Sequence, residues 1–301
     1  MTAVLTARAA PVADDTDEDA PRPRRWYTPY LLLLPGLAWL GAFFVVPMVA
    51  LASMSLQTGS LGEGYRLTWQ WSNYADALST YGSQFLRSFL YAGAATLLTL
   101  LIGYPLAYAI AFKAGRWRNV LLILVIAPFF TSFLIRTLAW KIILSDDGWV
   151  VDVLKALSLL GDNGRLLATP AAVILGLTYN FLPFMVLPLY ASLEKIDKRL
   201  LEAAADLYAT SFTAFRTVTW RLSLPGVVAG TLLTFIPAAG DFVNVQFLGT
   251  PNSAMIGTVI ESRFLTVLDY PTAAALSFAL MVSVLAIVLV YVRRVGARDL
   301  L

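Results

Sequence analysis

The side chains in this sequence that could do chemistry are few, and they sit in apolar surroundings. Asp241 follows an apolar run beside Pro237 and Gly240, and Phe235 lies within that run. Asn180 stands next to Tyr179 near the middle of another run and precedes Pro183. Arg136 and Trp140 fall in a third run, and Glu261 lies in a loop or short re-entrant segment close to Arg263. Carboxylates, an amide and aromatic faces can attract a cation without trapping it, because a cation–π contact is worth only ~0.5–2 kcal/mol. None of this is a reaction centre. The chain has no His and no Cys, which removes imidazole metal sites, thiolate chemistry and disulfides. No nucleophile–base pair or metal-ligand cluster stands out, and no enzyme chemistry is expected.

Each of these residues also has a plainer reading. Asp241, counted along a straight helix, falls near the outer end of its run and could be a helix-end carboxylate. Glu261 could pair with Arg263. A mid-membrane amide such as Asn180 either lines a pathway or ties helices together. Aromatics such as Trp140 and Phe235 more often pack or form an interface belt. Arg136, far along its run, could snorkel outward or take a carboxylate in a gating or structural ion pair, with Asp241 as a candidate partner.

The elements that must position them are membrane spans. Of 301 residues, 58% are hydrophobic and 14% charged, with mean hydropathy +0.71. A soluble domain is nearer ~45–50% apolar and ~25% charged. Six apolar runs, about 29–54, 85–112, 119–143, 170–192, 222–242 and 272–292, are each long enough to cross a bilayer. The expected fold is therefore an all-α polytopic membrane protein with six transmembrane helices over 26–301. Prolines inside the runs, among them Pro105, Pro128 and Pro183, predict kinks. Gly93, Ala94, Ala95 and Gly103 suit close helix packing. Residues 1–25 carry an acidic cluster (Asp14 to Asp19), then Arg22, Arg24 and Arg25. No short apolar core with a small-residue cleavage site follows, so a disordered tail is expected rather than a leader.

Charge placement orients the chain. Lys113, Arg116, Arg118, Lys195, Lys198, Arg199, Arg216, Arg221, Arg293, Arg294 and Arg298 fall on the side of the N-terminus. Only Arg66, Lys155, Arg165 and Arg263 fall in the opposite loops. Both termini are expected in the cytoplasm, and so is the loop over 194–221 between the fourth and fifth spans.

That loop is polar and two-sided. Asp197 can cap a short helix from Lys198 to about Leu207, with Leu200, Leu201, Ala203, Ala204 and Leu207 on one face. Ser211 can cap a second, Phe212 to about Trp220, with Phe212, Phe215 and Val218 along one face and Arg216 turned away. Leu224-Pro225-Gly226 then restarts the chain into the fifth span. Such a knob could fill a groove on a soluble partner or lie on lipid head groups.

Glu202-Ala203-Ala204, followed by Ala209, Phe215, Val218 and Pro225-Gly226, resembles the EAA loop of ABC importer permeases. The resemblance implies that Glu202, Ala203, Ala204, Tyr208, Ala209, Ser211, Phe212, Phe215 and Arg216 form a coupling helix that docks on a cytoplasmic ATPase. Two positions depart: Tyr208 and Arg221 stand where the family usually has a turn glycine and often a proline. Further blocks resemble one branch of the family, the first permease subunit of spermidine/putrescine transporters. They are Arg136-Thr137-Leu138-Ala139-Trp140, Tyr179-Asn180-Phe181-Leu182-Pro183-Phe184, Phe235-Ile236-Pro237 and Gly240-Asp241-Phe242.

The resemblance implies a non-catalytic subunit of an importer in a bacterial plasma (inner) membrane. Its expected partners are a second, paralogous permease, two copies of an ABC ATPase, an extracytoplasmic solute-binding protein and the lipid bilayer, with no nucleic acid. No G-x-x-x-x-G-K-[ST] phosphate loop is present, so ATP and Mg are expected on the partner ATPase and no cofactor on this chain. Asp241, Asn180, Tyr179, Trp140, Phe235 and Glu261 become candidates for the path of a polyamine. The alternatives are the same machine for another organic cation, an amino-acid derivative or a metal complex; an autonomous ion-coupled carrier; or a scaffold without a path. The carrier predicts a mid-membrane carboxylate, which straight-helix counting does not place in any run.

Overall fold

The computed structural model describes residues 28–161 and 164–296. The acidic cluster, Arg22, Arg24, Arg25 and Arg298 lie outside the described residues. Two units are distinguished, residues 1–50 and 51–301. The described part of the first holds α1 (Thr28–Leu40), a π turn (Gly41–Val45) and the start of α2 (Val46–Ser55).

The second unit continues from α2 into a hairpin, β1 (Gln57–Ser60) against β2 (Gly64–Leu67), antiparallel with Gln57 opposite Leu67. The helices that follow are α3 (Ser72–Tyr108), α4 (Arg118–Ile126), α5 (Phe133–Ile143), α6 (Trp149–Ala156) and α7 (Pro170–Glu194). Then come α8 (Lys198–Asp206), α9 (Ser211–Ala214), α10 (Trp220–Ala239), α11 (Val243–Leu248), α12 (Ile256–Glu261) and α13 (Tyr270–Tyr291). Five helical stretches among the described residues are long and apolar enough to cross a membrane; a sixth requires counting a bent pair as one span.

That bent pair corrects the sequence reading. The run over 119–143 is two helical pieces, Gly115–Phe130 and Phe133–Ile143, meeting at 96°. Pro128 opens a tight 3₁₀ turn over Ala127–Phe130, and Thr131 and Ser132 are extended. The break therefore falls three residues past the proline: Thr131 N–H closes the 3₁₀ turn on the Pro128 carbonyl at 3.2 Å, and the Ser132 carbonyl opens the next helix by accepting Arg136 N–H at 3.1 Å. A second difference lies at the fifth span. The expected second short helix is not separate: α9 passes through a π turn (Phe215–Thr219) directly into α10. The helical stretch is continuous over Ser211–Ala239, with no restart at Pro225.

Helix α7 is the axis of the unit. Thr169 caps it, accepting the Ala172 N–H at 3.2 Å, and Pro170 fills its first turn, where the missing N–H costs nothing. It packs against α3 and α10. On α10, Gly226 and Gly230 are one turn apart. A methyl group at Gly226 would stand 2.6 Å from Ser192 Cβ and 2.7 Å from the Pro188 carbonyl. Only glycine allows that approach, so Gly226-x-x-x-Gly230 is a packing seam that reading the small residues of α3 alone does not find.

Candidate functional site

Polar residues meet at the middle of α7. Asn180 is 1% exposed. Its Nδ2 donates to Asn244 Oδ1 at 2.9 Å and to Thr137 Oγ1 at 3.3 Å. Asn244 N–H donates in turn to Asp241 Oδ1 at 2.8 Å. All four side chains are buried. The chain of bonds ties three elements together: α5 through Thr137, α7 through Asn180, and α11 through Asn244. Asp241 stands between α10 and α11 and accepts the bond in the manner of a helix cap.

This network fixes depth. α7 has 25 residues, and Asn180 lies about ten residues, or ~15 Å, from its start. Thr137, Asn244 and Asp241 share that level through direct hydrogen bonds. Leu248, at the far end of α11, accepts from Ala168 N–H at 3.0 Å just before α7 begins. The fifth span is therefore discontinuous, with α10 ending near mid-depth and α11 running on beside α7. Asp241 sits at that break rather than at the outer end of its span, because the helical stretch leading into α10 begins at Ser211, well before the apolar run does. A carboxylate does lie at mid-depth, contrary to straight-helix counting. Discontinuous helices near the bilayer midplane are where transporters build solute sites, and intramembrane ionisable groups are functional by default.

The network is not fully satisfied. Asn180 Oδ1 and Asn244 Nδ2 are buried and have no hydrogen-bond partner among the described residues. Exchanging O and N in both amides leaves the count unchanged. One acceptor and one donor at the centre of the network are therefore left unpaired inside the bundle.

An aromatic surface adjoins this network. Trp140 meets Tyr179 edge-on at 5.3 Å, Phe133 lies 6.2 Å from Phe181, and Phe129 lies 5.0 Å from Phe184. Arg136 is half-buried, with its guanidinium 5.4 Å from the Phe129 ring and 5.6 Å from the Phe133 ring. No ion pair joins it to Asp241. Two candidates lie elsewhere. Phe235 stacks on Phe89 at 6.4 Å, on the α3 side of α10. Glu261 ends α12, and the expected pair with Arg263 does not form: Arg263 takes Asp269 at 3.5 Å and also donates to Tyr81.

A second site is the knob over 194–221. Asp197 caps α8 as expected, accepting the Arg199 N–H at 2.9 Å. The helix closes with Tyr208 N–H on the Ala205 carbonyl at 2.9 Å and Ala209 N–H on the Ala204 carbonyl at 3.0 Å. That is a Schellman closure, which needs a left-handed residue at Tyr208's position. Tyr208 adopts it, with φ 59°. The sharp turn is kept despite the missing glycine, and its side chain is 96% exposed. Thr210, not Ser211, caps the next helix, accepting the Thr213 N–H at 3.2 Å.

Glu202, Ala203, Ser211, Phe212 and Arg216 are exposed, whereas Ala204 and Ala209 are half-buried. Phe215 corrects the sequence reading. It turns inward, edge-on to Tyr104 at 5.7 Å and to Tyr108 at 6.1 Å. Phe212, 72% exposed, is left to face outward. Three residues on, Phe215 stands about 60° round the helix from Phe212, enough for one ring to face inward and the other out. Tyr104 is itself held by a 2.8 Å hydrogen bond to Ser223, so Phe215 joins the knob rigidly to α3 and α10. At the near end of α7, Arg118 pairs with Glu194 and covers the Tyr190 ring at 5.1 Å.

These features define an all-α polytopic membrane protein with spans broken at mid-depth and a projecting helical knob. Residues 99–299 match the family described as binding-protein-dependent transport system inner membrane component. The spermidine/putrescine transport system permease protein PotB of Salmonella typhimurium is 39% identical over 258 residues, covering 85% of this chain and 90% of that one. PotB of Escherichia coli K12 is 38% identical, with coverage of 85% and 94%. The E. coli inner membrane ABC transporter permease protein YdcU is 30% identical, with coverage of 92% and 93%. A chain of a bacterial ABC transporter that imports alginate superposes with TM-score 0.63 at 22% identity, covering 90% of this chain and 96% of that one; it shares the fold. The chain belongs to the family of binding-protein-dependent transport system inner membrane components.

Proposed function

We propose that this chain is the transmembrane permease subunit of an ATP-driven importer of polyamines. It forms half of the path, beside a second, paralogous permease, in a bacterial plasma membrane with both termini cytoplasmic. The observation that carries the solute class is the 39% identity, over 85% of the chain, to a permease named for spermidine and putrescine. An extracytoplasmic binding protein delivers the solute, and two copies of a separate ATPase hold ATP and Mg.

The solute passes the face carrying Trp140 and Tyr179. Their ring faces attract ammonium groups weakly enough for release. Asp241 and Asn180 stand behind that face, where the carboxylate lowers the cost of a positive charge at mid-membrane. Phe235 and Glu261 lie on other packing surfaces and have no part in this path. ATP-driven closure of the ATPases moves the knob through Glu202, Tyr208 and Phe212. Phe215 carries the movement through Tyr104 and Tyr108 into α3.

The test is reconstitution of the chain with its second permease, ATPase and binding protein in vesicles. Glu202→Gln with Phe212→Ala is expected to leave ATP hydrolysis running without spermidine uptake. Normal uptake by that variant would remove the knob from coupling. Uptake of a different solute, with none of spermidine or putrescine, would replace the polyamine reading.

A further inference from the structure

Arg136 is a cation without an anion. Its Nε and Nη1 are shielded from solvent and have no hydrogen-bond partner among the described residues; no ion pair includes it, and Nη2, which is not shielded, is the atom that an anion from outside the chain can reach. Asp241, the candidate partner offered by the sequence, accepts from Asn244 N–H instead. Arg136 also cannot reach a membrane surface. Thr137, the next residue, is bonded to Asn180, ~15 Å along α7 from its nearer end, further than an arginine side chain extends. The rings of Phe129 and Phe133 offset part of the cost of the charge, but an arginine at the bilayer centre is expensive and is normally paired.

The surface around it is unfinished too. Phe130 at the bend is 88% exposed, and Leu134, Ile135 and Leu138 beside Arg136 are exposed as well. An apolar patch surrounding an unpaired charge fits a protein surface carrying a complementary anion, whereas bare lipid chains leave the charge unmet. Depth decides among the sources of that anion. Lipid phosphates lie at the membrane interfaces, roughly 15 Å from the bilayer centre. A polyamine brings only positive charge.

We propose that the bend over 127–140 is the contact with the second permease, and that Arg136 takes a carboxylate from a membrane helix of that subunit. This rests on the reading of the chain as half of a paired permease. The pair is then the polar anchor of an otherwise apolar interface. It also draws the guanidinium away from Trp140 and Tyr179, leaving that aromatic face to a cationic solute.

The experiment uses the full complex, purified through a tag on this chain from native membranes. Arg136→Glu is expected to lower the co-purified second permease at least about tenfold, since breaking one side of a buried pair leaves an uncompensated charge. Arg136→Lys should retain most of it. A set of Asp/Glu→Arg variants in the partner's spans should contain one that restores both the complex and spermidine uptake to Arg136→Glu. That restoration shows that the variant chain folds. An intact complex with Arg136→Glu overturns the proposal, and so does a lost complex that no charge swap restores. Loss that appears only in vesicles containing anionic lipid assigns the anion to a head group and also overturns it. If the unaltered chain brings down no second permease, the paired reading itself fails, an outcome separate from these.

Discussion

Tyr208→Gly separates what the knob's turn needs from what its side chain does. The Schellman closure of α8 holds Tyr208 at φ 59°, a conformation that costs a residue with a Cβ about 1–2 kcal/mol and glycine little. The side chain is 96% exposed, so it returns nothing to the fold. Glycine should therefore make the turn more stable by about 1 kcal/mol, after allowing for glycine's extra entropy when unfolded. If the ring fills a groove on the ATPase, its loss costs roughly 2 kcal/mol of association, as for other buried aromatic anchors, or about 30-fold in affinity. The two effects have opposite signs and separate readouts. Hydrogen exchange at the Ala209 amide, bonded to the Ala204 carbonyl, should slow about fivefold. Titration of ATPase onto the permease pair in detergent should show affinity falling about 30-fold. Tyr208→Phe should keep the affinity and Tyr208→Ala should lose it without the gain in protection. Tyr208→Gly with unchanged affinity and coupling would refute the reasoning, since the strained tyrosine would then have no partner to justify it.

Four further outcomes are expected. Phe215→Ala removes the edge-on contacts to Tyr104 and Tyr108 and should leave ATPase binding intact while uncoupling hydrolysis from uptake, measured in the same vesicles. Gly226→Val must displace Ser192 and the Pro188 carbonyl and should destabilise the chain by about 1–3 kcal/mol in thermal unfolding; Gly230→Ala should cost less, because its closest neighbour is the movable sulfur of Met185. Asp241→Asn removes a buried charge but keeps an acceptor for Asn244 N–H, so thermal stability should hold or rise while spermidine uptake falls; unchanged uptake would take Asp241 out of the path. Asn180→Ala cuts the bonds to both Thr137 and Asn244, and a spin label or thiol probe at the bend near Phe130 should report greater mobility.

How much of this was legible in the sequence follows from what each signal measures. Apolar runs report that a segment is dehydrated. They do not report whether the segment is one helix. The run over 119–143 is apolar on both sides of Pro128-Phe129-Phe130-Thr131-Ser132, so the 96° bend leaves no mark beyond that short proline and hydroxyl segment. The break lies at the exposed pair Thr131 and Ser132, residue types that turns and helices both accept. Depth was misread for the same reason. Counting along straight helices ignores that Arg136 and Asp241 both stand near helix breaks, Arg136 beside Thr137 and Asp241 bonded to Asn244, the two residues that Asn180 of α7 holds.

The knob was more legible, because caps and turns are local. Asp197 caps as its type predicts. The turn at Tyr208 survives because its hydrogen bonds are made by backbone groups, which any residue supplies if it bears the strain. Phe215 was not legible: it lies only about 60° round the helix from Phe212, and an apolar pattern does not say which of the two rings packs on α3. Gly226 and Gly230 were in plain view at one-turn spacing, and Asp241 with Asn244 has the three-residue spacing of a cap. Either pattern could have pointed to the packing seam or to the polar network.

The most direct measurement is spermidine uptake into vesicles that contain the second permease, the ATPase and the binding protein, with and without this chain. The account predicts ATP-dependent uptake only when this chain is present, and no uptake by this chain alone under any ion gradient. Gradient-driven uptake by the chain alone, or a full complex that hydrolyses ATP yet moves no polyamine, would contradict it.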